Sequence, residues 1–182
     1  MSTIKAVDES TERQQFKAQG VNELRRFIDF CRQVQPESQR DIQRFFEGVV
    51  CFPYDNELLL QAFLFLNIKD YFLECRELLL FEKSPNGEHT HEGKCDLVYL
   101  TSAGTILLIE TKFIDTENTG ATERKRRNKH RIKVFEQVIE LRQKFSDQWN
   151  IPVEMITGSV FTTDDLADRE GINGITAKYV PI

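Results

Sequence analysis

Between residues 77 and 113 the apolar spacing changes from helical to strand-like, and this change constrains the fold more than any other feature of the chain. Glu77–Lys83, Lys94–Thr101 and Thr105–Phe113 are short apolar runs, separated first by a stretch containing Pro85-Asn86-Gly87 and then by Ser102-Ala103-Gly104. Three antiparallel strands joined by hairpins is the simplest reading. With Ser102–Gly104 as a three-residue loop, Thr101 faces Thr105, and counting outward sets Asp96 opposite Glu110. Side chains alternate faces along a strand, so Glu110 and Lys112 point the same way, beyond Ile106 and Leu108. Directly opposed residues have Cβ atoms about 4.5–5.5 Å apart. Two carboxylates and an ammonium are therefore expected to crowd one end of a ribbon whose face is otherwise apolar.

Helices surround this ribbon in sequence. Residues 1–19 read as a flexible N-terminal tail. Val21, Leu24, Phe27, Ile28 and Cys31 recur at helical spacing, which predicts a helix over 21–34 that Pro36 ends. Ser38 can cap a second helix carrying Ile42, Phe45, Phe46 and Val49, so residues 20–50 form an N-terminal helical extension. A third helix, capped by Asp55 or Asn56, is predicted to run to about Phe72; it is apolar on nearly every side and is expected to be buried. Residues 114–121 are a polar loop. A long helix follows over 122–148, with Val134, Val138, Leu141 and Phe145 on one stripe. Beyond Pro152, a strand over 153–162, a short capped helix over 163–170 and a last strand over 175–180 complete the chain. Residues 51–182 are thus expected to form an α/β (α+β) domain, a mixed sheet flanked by helices.

The 182 residues fit one domain, and their net charge of -5 argues at first against a nucleic-acid partner. The charges are unevenly placed. Arg124 to Lys133 (RKRRNKHRIK) holds seven basic residues and no acid, which leaves 17 basic against 29 acidic residues elsewhere. A strongly basic ridge therefore stands on an acidic body. Its basic members Arg124, Lys125, Arg126, Arg127, Lys129, Arg131 and Lys133, with His130, lie near a helix N-terminus, where positive charge opposes the dipole. Binding a phosphate backbone accounts for that placement; a solvated helix face is the plainer alternative. In a eukaryotic chain the same run reads as a nuclear-import signal.

Cys31, Cys51, Cys75 and Cys95 show no metal-finger or redox spacing and are expected to be reduced, buried thiols of a cytoplasmic protein, nuclear if eukaryotic. The polar N-terminal stretch lacks the apolar core of a signal peptide. Leu58–Ile68, the most apolar run, is far short of the about 20 residues a bilayer requires, so no membrane partner is expected. His89-Thr90-His91 has no third ligand nearby and reads as a solvent-exposed turn.

Two bare carboxylates as close as Asp96 and Glu110 repel each other unless a cation lies between them. An all-oxygen site with few protein ligands suits Mg²⁺ or Mn²⁺. Such an ion activates a bound water and neutralises charge on a phosphoryl group, and Lys112 beside it can orient the water or steady that charge. The reaction implied is phosphodiester hydrolysis. The plainer alternative is an Asp96–Lys112 ion pair at a sheet edge with Glu110 solvated.

An acid on one strand followed by ExK on the next, here Asp96 and then Glu110-Thr111-Lys112, resembles the PD-(D/E)xK nuclease superfamily. The resemblance covers roughly residues 55 to 162 and implies a restriction-endonuclease-like αβββαβ core. Cys95 stands where the motif has proline. The resemblance further implies metal ligation by Asp96, Glu110 and the Thr111 carbonyl. It also implies another acid from the preceding helix, for which Glu57 is the candidate, with Gln61 one turn on; Glu74, Glu77 and Glu82 are fallback acids. As the alternative, Glu57 merely favours the helix dipole. Exonuclease-like branches place a glutamine on the helix after ExK. Gln137 matches it, on one ridge with His130 and Lys133, although Leu141 replaces the usual aromatic. The plainer alternative for Gln137 is a polar residue at the rim of a packed helix.

The function so implied is a Mg²⁺- or Mn²⁺-dependent nuclease, with DNA favoured over RNA by base rate alone. The first alternative is a catalytically silent nuclease-like subunit that binds nucleic acid or a partner. The second is an interaction protein whose N-terminal helices dock a partner or a second copy of the chain.

Overall fold

The computed structural model describes residues 9–34, 56–86, 93–115, 120–164 and 175–180. Among them the order is α1 (Glu9–Val34), α2 (Asn56–Leu66), α3 (Ile68–Tyr71), β1 (Cys75–Lys83), β2 (Cys95–Thr101), β3 (Ile106–Lys112), α4 (Ala121–Trp149), β4 (Ile156–Thr162) and β5 (Thr176–Tyr179). The five strands form one sheet in the order β1-β2-β3-β4-β5. The first three are antiparallel neighbours, while β3, β4 and β5 run parallel. Antiparallel strands need only tight turns, whereas the parallel β3–β4 step needs a long crossover, which α4 supplies. The expected mixed sheet flanked by helices, with an αβββαβ order, is therefore present.

The β2–β3 turn follows the counted register. Leu97 pairs with Ile109 and Leu100 with Ile106. At the turn, Gly104 N–H donates to Thr101 O (3.0 Å) and Thr101 N–H to Thr105 O (2.9 Å). Gly104 has φ +74°, the left-handed conformation that closes a three-residue hairpin loop.

Strand alternation divides the core into two layers. On one face Val98, Ile106 and Leu108 pack with Leu24 and Phe27 of α1 and with Leu141 and Phe145 of α4. On the other, Leu97, Tyr99, Leu107 and Ile109 pack with Leu60 and Leu64 of α2. Asp96 and Glu110 continue the first row. Cys31, Cys75 and Cys95 are buried free thiols; Cys51 lies outside the described residues.

Several boundaries differ from expectation. Helix α1 reaches back to Glu9, into the stretch read as a tail. Its first turns are rich in Glu, Gln, Lys and Ala, which favour helix without leaving an apolar stripe to signal it. Gly20 is a packing point: a Cβ there would lie 2.6 Å from Pro152 Cγ and 3.3 Å from Met155 Sδ. Gly20→Val is expected to destabilise the protein by about 1–3 kcal/mol in denaturant unfolding, through overpacking of that crossing. The helix predicted to reach Phe72 breaks at Asn67, whose side-chain amide donates to Phe63 O (2.8 Å). Nor is α2 buried all round: Leu60 and Leu64 face the core, but Leu59 is 50% and Leu66 65% exposed. A Leu- and Phe-rich sequence does not say which of its sides the sheet covers. Strand β4 starts at Ile156, after a 3-10 turn over Val153–Met155. The helices expected over 38–49 and 163–170, and the His89–His91 turn, lie outside or largely outside the described residues.

Candidate active site

The site forms where β1, β2 and β3 end together. The β2–β3 register sets Asp96 beside Glu110 one step beyond the Leu97–Ile109 pair. The β1–β2 register, with Phe81 opposite Leu97 and Lys83 opposite Cys95, sets Glu82 beside Asp96. Three carboxylates thus span three adjacent strands in the order Glu82, Asp96, Glu110. Directly opposed residues share a face of the sheet.

Reciprocal main-chain bonds hold the central pair. Asp96 N–H donates to Glu110 Oε1 (3.1 Å), and Thr111 N–H donates to Asp96 Oδ2 (2.8 Å). The Thr111 hydroxyl donates to the same Oδ2 (2.7 Å). Asp96 is 7% and Glu110 6% exposed, so both carboxyls are almost withdrawn from water. Burial, with the charges of Glu82 and Glu57 adding to it, pushes Asp96 up to about 6 against the Thr111 bonds. Burial and then the Asp96 charge hold Glu110 well above its ordinary value. A group whose charged form is unfavourable at neutral pH is one that an added cation would relieve.

Two lysines border the row. Lys112 Nζ donates to Glu57 Oε2 at 2.5 Å, which links the end of β3 to the first turn of α2. Lys94 Nζ pairs with Glu82 Oε2. Burial would depress the Lys94 ammonium, but its bond to Glu82 and the charges of Glu82, Asp96 and Glu110 outweigh this and hold it above its usual value. Gln61 Nε2 donates to Glu82 Oε1 (2.9 Å), while Gln61 Oε1 is buried with no hydrogen-bond partner among the described residues. Glu82 adopts φ +52°, which is rare outside glycine and is strained for a side chain of this size.

The structure thus brings Asp96, Glu110, Thr111, Lys112 and Glu57 together. It adds Glu82, Gln61 and Lys94. Glu82 was one of several fallback acids and Gln61 a neighbour of Glu57; Lys94 was not anticipated, although it stands two residues before Asp96 and hence on the same face. Glu77 is excluded by its own partner, accepting from Arg32 Nε (3.0 Å) and Nη2 (2.6 Å). Glu74 is exposed.

Gln137 is exposed on α4 and has no side-chain hydrogen bond among the described residues. Its helix packs on the sheet through Val134, Val138, Leu141 and Phe145, as expected. Within the basic segment Arg131 is committed to Asp164: its Nε donates to Oδ2 at 3.0 Å, and its Nη2 pairs with the same oxygen. Arg126 pairs with Glu123 at 3.6 Å. Arg124, Lys125, Lys129 and Lys133 are exposed. Asp164 stands two residues after Thr162, which pairs in register with Lys112. The Arg131–Asp164 pair therefore fixes the basic segment at the end of the sheet that carries the carboxylates.

No group of three His, Cys, Asp or Glu side chains among the described residues is arranged to hold a metal ion. Mg²⁺ needs fewer, since one or two carboxylates can bind it with water completing the shell. The withdrawn Asp96–Glu110 pair and the unpartnered Gln61 oxygen fit such an ion. Among the described residues no helix is long and apolar enough to cross a membrane.

No protein-family model and no curated protein matches the chain. Two solved structures are similar to it. One is a repair endonuclease from Pyrococcus abyssi, at 13% identity and a TM-score of 0.44, over 72% of this chain and 50% of that one. The other is EndoMS in a complex with dsDNA, at 14% identity and a TM-score of 0.41, over 73% of this chain and 48% of that one. The chain spans about half the length of each solved chain it resembles.

Proposed function

We propose that this chain is a Mg²⁺- or Mn²⁺-dependent nuclease that hydrolyses phosphodiester bonds of nucleic acid, DNA in preference to RNA. The observation that carries this reading is the buried Asp96–Glu110 pair, braced by main-chain bonds and followed by Lys112. Asp96, Glu110 and the Thr111 carbonyl would hold the ion, which supplies an activated water and positive charge opposite the phosphate. Thr111 fixes the orientation of Asp96, and the Asp96 N–H fixes that of Glu110. Glu57 keeps the Lys112 ammonium at the end of the row, where it can steady charge on the phosphoryl oxygens. As the water oxygen bonds to phosphorus, the ester P–O bond breaks; the attacking water gives up a proton to solvent and the leaving oxygen takes one from it. The exposed basic side chains of α4 bind the flanking backbone, and the acidic remainder of the chain limits adhesion elsewhere.

The test is cleavage of single-stranded, duplex, flapped and junction DNA, and of RNA, with Mg²⁺ or Mn²⁺. Wild type is compared with Asp96→Ala and Lys112→Ala. Cleavage of DNA by wild type and its loss in both variants are expected. No cleavage of any substrate, or equal cleavage by all three proteins, would refute the reading. Salt-dependent binding without cleavage would mark a silent nucleic-acid-binding subunit instead.

The basic helix is tested separately by Lys125→Ala combined with Lys129→Ala. Binding should weaken without loss of the fold, and the slope of log K against log salt should become shallower by about one per lost phosphate contact. An unchanged slope would remove α4 from the nucleic-acid interface.

A further inference from the structure

Helix α2 carries a buried amide among leucines. Gln61 is 4% exposed and stands between Leu60 and Leu64, which pack on the sheet. It lies one turn after Glu57, so both side chains leave the same side of the helix. Each is tied to a different strand. Lys112 Nζ, at the end of β3, donates to Glu57 Oε2, and Gln61 Nε2 donates to Glu82 Oε1 on β1. In the sheet β2 runs between those two strands and carries Asp96. The two α2 side chains therefore straddle the strand that bears the central carboxylate.

The bond to Glu82 explains only half of the amide. Glu82 also pairs with Lys94, so it is a carboxylate and only accepts hydrogen bonds. Gln61 must turn its NH2 group toward it, which fixes the amide and points Oε1 away. That oxygen is buried with no hydrogen-bond partner among the described residues. Such an atom costs stability, and methionine would fill the same space without it. Tyr99 Oη is likewise buried without a partner, but Tyr99 belongs to the apolar layer with Cys75 and Leu78. Of the two, only Gln61 stands at the carboxylate end of the sheet. A buried acceptor of this kind is commonly satisfied by an ordered water.

Resting on the nuclease reading, we propose that Gln61 Oε1 is the acceptor that orients the attacking water. The water donates one hydrogen to Oε1, which turns an oxygen lone pair toward phosphorus. The amide is neutral and takes no proton. As the water oxygen bonds to phosphorus and the ester P–O bond breaks, the water gives up a proton to solvent and the leaving oxygen takes one from it. Glu82 serves this step as the anchor of the Gln61 NH2 group.

The experiment pairs a crystal structure with the kinetics of Gln61→Met, which keeps the length of the side chain and removes the acceptor. In wild type an ordered water is expected about 2.7–3.2 Å from Gln61 Oε1, on the side of Asp96 and Glu110. Single-turnover cleavage of DNA at saturating protein should fall about 10²-fold in Gln61→Met, the loss that follows when a reacting group is misplaced. DNA affinity in EDTA should stay as in wild type, and thermal unfolding checks the fold. Glu82→Gln, whose carbonyl still accepts from Gln61, should lose less. Protein in place of water on Gln61 Oε1 would overturn the assignment whether or not the variant folds. So would full-rate cleavage by folded Gln61→Met, a parallel loss of rate and affinity, or an equal loss in Glu82→Gln. If Gln61→Met cleaves like wild type while Asp96→Ala is inactive, the assignment fails and the nuclease reading stands. If wild type cleaves nothing, both fail.

Discussion

Asp96→Asn is expected to stabilise the metal-free protein at pH 8 by about 2–3 kcal/mol, taking 1.4 kcal/mol for each unit by which the carboxyl is raised. Burial and the neighbouring acids raise Asp96 from 3.8 to about 6. A carboxyl that holds its proton more tightly in the folded than in the unfolded chain contributes stability that is fully present below the unfolded value. That contribution is lost as the pH rises through the folded value. Wild type should therefore lose this increment between about pH 4 and pH 6 and stay without it at pH 8. Asparagine carries no such charge, and its side-chain oxygen still accepts from Thr111. The two proteins should differ little near pH 4 and diverge above pH 6. Denaturant unfolding in EDTA at the two pH values measures this, and equal midpoints at both would contradict the raised carboxyl. Saturating Mn²⁺ should reverse the order, because only wild type can bind it and be stabilised by mass action. On the nuclease reading, the gain in stability should come with loss of cleavage, the usual relation between a destabilised site and the fold that maintains it.

The second large effect is expected at Lys112. Lys112→Ala should lower the single-turnover cleavage rate by about 10²–10³-fold, the range for removing one preorganised charge-stabilising donor. The Lys112 side chain is partly exposed and its one hydrogen bond among the described residues goes to Glu57, so the fold should survive and nucleic-acid affinity should change little. A rate loss without an affinity loss assigns Lys112 to the transition state and not to ground-state binding. Glu57→Gln keeps a hydrogen-bond acceptor for the ammonium and should cost less than Lys112→Ala. A larger loss at Glu57 would mean that Glu57 itself meets the ion or the water.

Much of this architecture was legible because its signals are local. The β2–β3 ribbon is joined by a loop of fixed length, so a count from Thr101 and Thr105 was enough to place Asp96 beside Glu110. The stripe Val134, Val138, Leu141 and Phe145 announced the packed side of α4 in the same way. Glu82 could not be placed like this. The β1–β2 pairing shifts register between Cys75 and Glu77 and again between Leu78 and Leu80, and the strand reverses the sign of φ at Glu82. No alternation count survives those irregularities. The Lys94 ion pair is hidden for the same reason, because its partner is Glu82. Arg131 looked like its neighbours in a basic run, and only the tertiary fold, which brings up Asp164, distinguishes it. The polar start of α1 and the uncovered side of α2 are likewise decided by packing partners that are remote in sequence.

The irregularities of β1 have a consequence for assembly. With strand order β1-β2-β3-β4-β5, β1 is an edge of the sheet among the described residues. A straight edge strand is a template for a second chain. Two register shifts and the left-handed residue at Glu82 interrupt the regular extended geometry with which an incoming strand would pair. The irregular strand that carries Glu82 beside the carboxylate pair is thus also a poor template for edge-to-edge association.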